Sequence, residues 1–239
     1  MAESSRSLQT VSYFLPGMAI AYGQAIDTHP HRHSLWQLCL PSDLYYLNGQ
    51  PLTTGKVIQP NELHQLSMPN GWVILAEPES LLGEAISGLP QQLPSVTKDA
   101  RLEALLGQLS GFDQLAFALN HNSYQCRDPR LLALLAKLDN CLQAECVKPE
   151  QWRAKEIAFD LALSESRFLH LVKAELGIAW RPYLLWRRLI CAVQAIKSGR
   201  SATDAAYLAG FSDSAHLSRT IKSTFGMTSK QLLTSFSAR

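Results

Sequence analysis

AFDLALSESRFLHLVKAELG (158–177) and AYLAGFSDSAHLSRTIKSTFG (206–226) are two writings of one motif. Ala158 and Ser164 recur 48 positions later as Ala206 and Ser212. After one extra residue, Lys173 and Gly177 recur at an offset of 49 as Lys222 and Gly226. In each copy a serine stands where a helix N-cap belongs, with Glu165 or Asp213 behind it in the first turn, where the helix dipole favours an acid. Phe168, Val172 and Leu176 then recur every four residues, as do Leu217, Ile221 and Phe225, which predicts one buried stripe per helix. Gly177 and Gly226 supply the stops. Two helix–turn–helix copies about fifty residues apart predict two recognition helices in one unit.

With the stripes buried, the remaining faces are defined. The first copy presents Ser164, Ser166, Arg167, His170 and Lys173; the second presents Ser212, Ser214, Ala215, His216, Arg219 and Lys222. A helix–turn–helix inserts the N-terminal end of its second helix into the major groove. Arginine there can take guanine O6 and N7 together, and small side chains allow close approach to thymine methyls. Lys173 and Lys222 lie further along, where phosphate is the nearer partner. A solvated helix face carries the same residue types, so the pattern nominates these positions without assigning each a base.

Between the copies, RPYLLWRRLICAVQAIKSG (181–199) reads as about eighteen helical residues, roughly 27 Å long. Successive major-groove faces on one side of the duplex lie about 34 Å apart. A rigid helix of this length can set two recognition helices into adjacent grooves. Arg187 and Arg188 on it are candidates for backbone contact or for simple solvation.

The stretch Trp152–Ser235 resembles the DNA-binding domain of the AraC/XylS family of bacterial transcription regulators. The matching residues are GIAWRPYLLWRRL (177–189) and TDAAYLAGFSDSAHLSRTIKSTFG (203–226), including the Gly210-Phe211 pair ahead of the second recognition helix. Ser229 departs from the pattern, since that family usually has proline there, and its absence loosens the terminal turn. The resemblance implies double-stranded promoter DNA as a partner, with RNA polymerase as a second.

The N-terminal half differs in kind. SLWQLCL, DLYYLNG, GKVIQP and GWVILAE are short apolar stretches separated by Pro, Asn and Gly over residues 12–75, which predicts a small β-barrel or sandwich. GEAISGLPQQLPS then reads as a connector, and from about Asp99 the spacing turns helical. Leu131, Leu135, Leu138 and Leu142 fall on one stripe behind Pro129. That stripe either packs on its own domain or forms a dimerisation seam.

HPHRHSLWQL (29–38) resembles the His-x-His-x3-Gln-Leu signature of a cupin-type sensor domain found in a subset of the same family, through His31, His33, Gln37 and Leu38. IQPNELHQL (58–66) resembles that subset's Pro-Gly-x-x-His strand entry, with Asn61 for glycine and His64 as the histidine. Asparagine tolerates the left-handed backbone a turn needs. If His29, His31 and His33 share one strand they share one face. His31, His33, Gln37 and His64 are then candidates for a divalent metal (zinc, nickel or iron), for a small-molecule effector pocket, or for plain structural packing. His121 has no partner in this scheme.

Charge follows the same division. Residues 149–239 carry thirteen Lys/Arg against seven Asp/Glu, a net of +6, while residues 1–148 carry nine against thirteen, a net of −4. A basic block on an acidic one fits a nucleic-acid module joined to something else. Apolar content of 46% and charged content of 18% belong to a soluble globular chain, and no apolar run approaches the roughly 18–20 residues of a membrane span. No secretory signal is visible, and five scattered cysteines read as reduced thiols in a cytoplasmic protein.

The expectation is an α+β chain. Residues 1–94 form a cupin-like sensor β-barrel, 95–148 a helical connector with a candidate homodimer helix, and 149–239 an all-α domain with two helix–turn–helix motifs joined by a linker helix. Its function is sequence-specific transcription regulation in response to a small molecule or metal, without enzymatic activity and without a membrane partner. The alternatives are a cupin-type metalloenzyme with an accessory helical domain, and a ligand-independent DNA-binding protein.

Overall fold

The computed structural model describes residues 11–140 and 152–236. Seven strands open the chain: β1 (Val11–Leu15), β2 (Met18–Asp27), β3 (Trp36–Pro41), β4 (Tyr45–Leu47), β5 (Gln50–Leu52), β6 (Lys56–Ile58) and β7 (Leu66–Ala76). They form one antiparallel sheet in the order β1-β2-β7-β3-β6, with β4 pairing both β5 and β7. The long strands β2 and β7 pair from Met18–Ala76 to Asp27–Ser67 and form its spine.

Asn61 adopts φ +66°, the left-handed turn conformation expected of it ahead of His64. Residues 81–87, read in the sequence as part of a connector, form helix α1 (Leu81–Ser87), capped by the Ser80 hydroxyl accepting from Gly83. A methyl at Gly83 would lie 2.1 Å from the Glu77 carbonyl, so glycine is what lets this short helix start so close behind the sheet. α1, α2 (Leu102–Gln108) and α3 (Asp113–His121) close over one face with Ile20, Leu38, Trp72 and Ile74.

α4 (Pro129–Asp139) begins at the predicted proline, behind an Asp128 cap. Its leucines Leu131, Leu135 and Leu138 are buried inside this chain, in a core shared with Phe168, Val172, Leu176, Trp180 and Tyr183. Leu142, the fourth member of the expected seam, lies outside the described residues. Full burial of each such large apolar side chain contributes about 1.5–3 kcal/mol, so the stripe has an intramolecular reason to exist.

The C-terminal helices follow the repeat. α5 (Ala154–Asp160) and α6 (Glu165–Leu176) make the first motif, α7 (Trp180–Lys197) the 18-residue linker, α8 (Ala202–Leu208) and α9 (Ser214–Phe225) the second motif, and α10 (Ser229–Phe236) ends the fold. Ala158 and Ala206 are buried at equivalent places, where a small side chain lets each first helix pack closely. α10 begins at Ser229 despite the missing proline. Thr228 and Gln231 satisfy each other's backbone N–H groups at 2.9 and 3.2 Å, a reciprocal cap that replaces proline's rigidity. Cys39 and Cys126 are free, whereas Cys191 is disulfide-bonded, a departure from five reduced thiols. Among the described residues no helix is long and apolar enough to cross a membrane.

Arg187 overturns an expectation. Instead of lying on the DNA side of the linker helix, it is 4% exposed and holds the two halves together. It donates to Asp139 (2.6 Å), the Leu138 carbonyl (3.0 Å) and the Tyr124 hydroxyl (2.7 Å), with Glu77 3.9 Å away. The adjacent Trp186 donates its indole N–H to Glu77 at 3.0 Å. Burial is the leading influence on Glu77 and lifts its carboxyl to about 7, against the opposing pull of Arg187.

Candidate nucleic-acid interface and histidine cluster

The first recognition helix, α6, is capped as expected: the Ser164 hydroxyl accepts from the Arg167 N–H at 3.3 Å. Ser166, Arg167, His170 and Lys173 are exposed, with Phe168, Val172 and Leu176 turned inward. Lys173 donates to the Gly177 carbonyl at 2.6 Å, so its ammonium also closes its own helix end.

The second helix departs from the serine-cap reading. Asp213, not Ser212, is the N-cap of α9 and accepts from the His216 N–H. Ser212 instead donates to Asp213 and meets His216 Nδ1 at 3.0 Å. The His216 ring also sits edge-on to Phe211, with centroids 5.3 Å apart, so it is held in place at the helix entrance. Ala215, His216, Arg219 and Lys222 are exposed, and Ser214 is half-buried. Gly210 turns the chain into this helix at φ +79°; the equivalent first-copy residue, Ala162, makes the same turn at φ +54° without being glycine.

In the N-terminal half, His31, His33 and His64 come together, all buried, with one ligand nitrogen from each within 4.8 Å of the others. The single-strand expectation is corrected here. β2 ends at Asp27, the chain from 28 to 35 is irregular, and His29 is exposed. His31 reaches His64 through an isolated backbone bridge, with N–H to carbonyl distances of 3.0 and 2.9 Å. Gln37 stands behind the cluster: its amide oxygen accepts from His33 Nε2 at 2.9 Å, and its amide nitrogen donates to Cys39 at 3.2 Å. Burial pulls His31 and His33 down to about 4, with His64 lowered as well, so the imidazoles are neutral at pH 7. His121 lies apart, stacked on Phe117.

A cavity of about 90 Å³ opens between the sheet and the C-terminal helices. Ala19, Val73 and Leu75 line it from the strands, and Trp186, Val193 and Phe225 from the helices; His31, Gln37 and Lys197 are among its few polar residues. No spacing in the sequence indicated this cavity, because its walls come from elements more than a hundred residues apart.

Residues 157–235 match a family model described as a helix-turn-helix domain. No curated protein matches the chain. Among solved structures, apo ToxT (a point variant) from Vibrio cholerae strain SCE256 is 11% identical, with 94% of this chain and 100% of that chain covered at a TM-score of 0.50. Unsaturated fatty acid-bound wild-type ToxT from the same strain is 14% identical, covering 98% and 97% at a TM-score of 0.45. A transcriptional regulator with an AraC-type DNA-binding domain from Chromobacterium violaceum is 24% identical, covering 42% and 91% at a TM-score of 0.34.

Proposed function

We infer that this chain, a member of the AraC/XylS family of transcription regulators, reads promoter DNA with α6 and α9 and takes its signal through its N-terminal half. One observation carries the reading: two capped helices expose polar N-terminal faces at either end of a single 18-residue linker helix. Arg167, His170, His216 and Arg219 are the candidates for base edges, and Ser164, Ser166, Ser212, Ser214 and Ala215 for close approach. Lys173 and Lys222 are the candidates for phosphate. Because the facing residues differ between copies, each monomer reads an asymmetric site.

The division of labour we propose is a sensor domain over 1–94, a connector over 95–148 and the DNA-binding domain over 149–239, acting in the cytoplasm with RNA polymerase as partner. A homodimer would need a surface other than the buried leucines of α4. The interdomain cavity suits an organic acid with an apolar body. Burial lowers the Lys197 ammonium, and an anion beside it would relieve that burden. The histidines offer a second signal, since three neutral imidazoles suit a divalent zinc, nickel or iron ion, with Gln37 orienting His33 rather than ligating.

The test is equilibrium binding to a duplex selected from a random pool. Arg219→Ala should cost about 1–3 kcal/mol and relax sequence preference at one position. Lys222→Ala should weaken all sequences alike and reduce the salt slope by about 1. Unchanged affinity and preference in Arg219→Ala would remove α9 from the reading surface.

A further inference from the structure

Each of the three clustered imidazoles has one nitrogen facing an oxygen that can only accept. His31 Nδ1 lies 2.9 Å from the His29 carbonyl, His64 Nδ1 3.0 Å from the Glu62 carbonyl, and His33 Nε2 2.9 Å from the Gln37 amide oxygen. Those nitrogens must therefore carry the protons, which leaves a lone pair on the other nitrogen of each ring. Two of these, His33 Nδ1 and His64 Nε2, are buried with no partner among the described residues. Unsatisfied buried acceptors are costly, and outer hydrogen bonds that fix the tautomer are how metal-binding histidines are held. An all-imidazole set selects a first-row transition metal over magnesium or calcium.

The same segment is where the second recognition helix lands. The Gly226 carbonyl, at the C-terminal end of α9, accepts from the His29 N–H at 2.7 Å. A methyl on Gly226 would lie 2.4 Å from the His29 carbonyl and 2.6 Å from His31 Nδ1. The first recognition helix ends elsewhere, with Gly177 against Pro78 and Glu79. Metal–nitrogen bonds of 2.0–2.1 Å place tetrahedral ligand atoms roughly 3.4 Å apart, and the three ligand nitrogens already lie within 4.8 Å of one another, so a bound ion would hold all three rings to one point. His31 cannot move without moving the surface on which Gly226 rests.

We propose that His31, His33 and His64 bind one divalent transition-metal ion, and that this ion fastens the second recognition helix, but not the first, to the β domain. The regulatory meaning rests on the reading that α9 contacts DNA; the binding and the fastening do not.

The experiment uses the full chain with cobalt(II) and zinc(II) as probes. Cobalt should give visible ligand-field bands that saturate at one ion per chain and vanish in His33→Ala and His64→Gln. With zinc at ten times its Kd, hydrogen exchange should slow about tenfold over 28–33 and 222–233 and stay unchanged over 172–177. Absence of stoichiometric cobalt binding, or its survival in both histidine variants, overturns the site. Binding without protection over 222–233 overturns the fastening. Failure to select any duplex would instead defeat the DNA-reading function and leave both of these results standing.

Discussion

The two helix–turn–helix units share a local grammar and differ in how they are anchored. The first packs into a large core with α4, the sheet residues Ala19 and Leu75, the loop residue Leu35, and the aromatic group of Trp180, Tyr183 and Trp186. The second has its own small core, built on Ala192, Ala195, Ala205, Ala206 and Ala209 around Phe211, Leu217 and Ile221. It meets the β domain mainly at its tail, through Gly226, Met227 and Leu232. Motif identity therefore says little about mobility: the first unit is part of the body of the protein, and the second is attached to it at the end of a helix. A signal that acts by movement has more freedom to act on the second.

The strongest challenge to this contrast is the buried ion network. Arg187→Met should destabilise the fold by about 3–5 kcal/mol in denaturant unfolding, because Asp139 and Glu77 lose their buried cation. If the loss is below about 1 kcal/mol, the first unit is not welded in as described. Gly226→Ala comes next, at about 1–3 kcal/mol, since a methyl would strike the His29 backbone at φ +66°. Gly177→Ala should cost less, because part of what it meets is the flexible Glu79 side chain. Equal losses in thermal unfolding would erase the asymmetry.

Titration sharpens the same comparison. Glu77 goes from about 4.5 in the unfolded chain to about 7 in the fold. The native state then holds a proton the unfolded state has lost, so this contribution is complete below about pH 4.5 and disappears as pH rises through 7. Glu77→Gln should flatten that decline, with an effect on the order of 1–3 kcal/mol between pH 5 and 8. His31 and His33 act oppositely: lowered from 6.5 to about 4, they stabilise above pH 6.5 and cease to do so as pH falls through 4. The smallest expected effect is at Ala162, held at φ +54° where the second copy has Gly210. Ala162→Gly should raise stability by about 0.5–1 kcal/mol by relieving the left-handed strain; a drop in melting temperature would show that the methyl is wanted there.

What could be read from the sequence was local. The stripes at 168–176 and 217–225, the αL turn at Asn61, the terminal glycines and the 18-residue linker all follow from spacing of a few residues. The meeting of His31 and His33 with His64 came from the resemblance, while their orphaned nitrogens needed the fold. Arg187 could not be placed, because its partners Glu77 and Asp139 lie 110 and 48 positions away. α1 was hidden by Gly83, a helix breaker by propensity that is required by the backbone beneath it. Asp213 and Ser212 are both sound N-caps, and only the observed backbone decides between them.

Trp186 and Met227 are 4% and 2% exposed, and in both cases the N-terminal half helps to cover them. Cut free, the C-terminal half would therefore carry an apolar scar where the β domain had covered it. The N-terminal half thus doubles as an internal chaperone for the helical module, and exchanging it for another domain would have to heal that scar first.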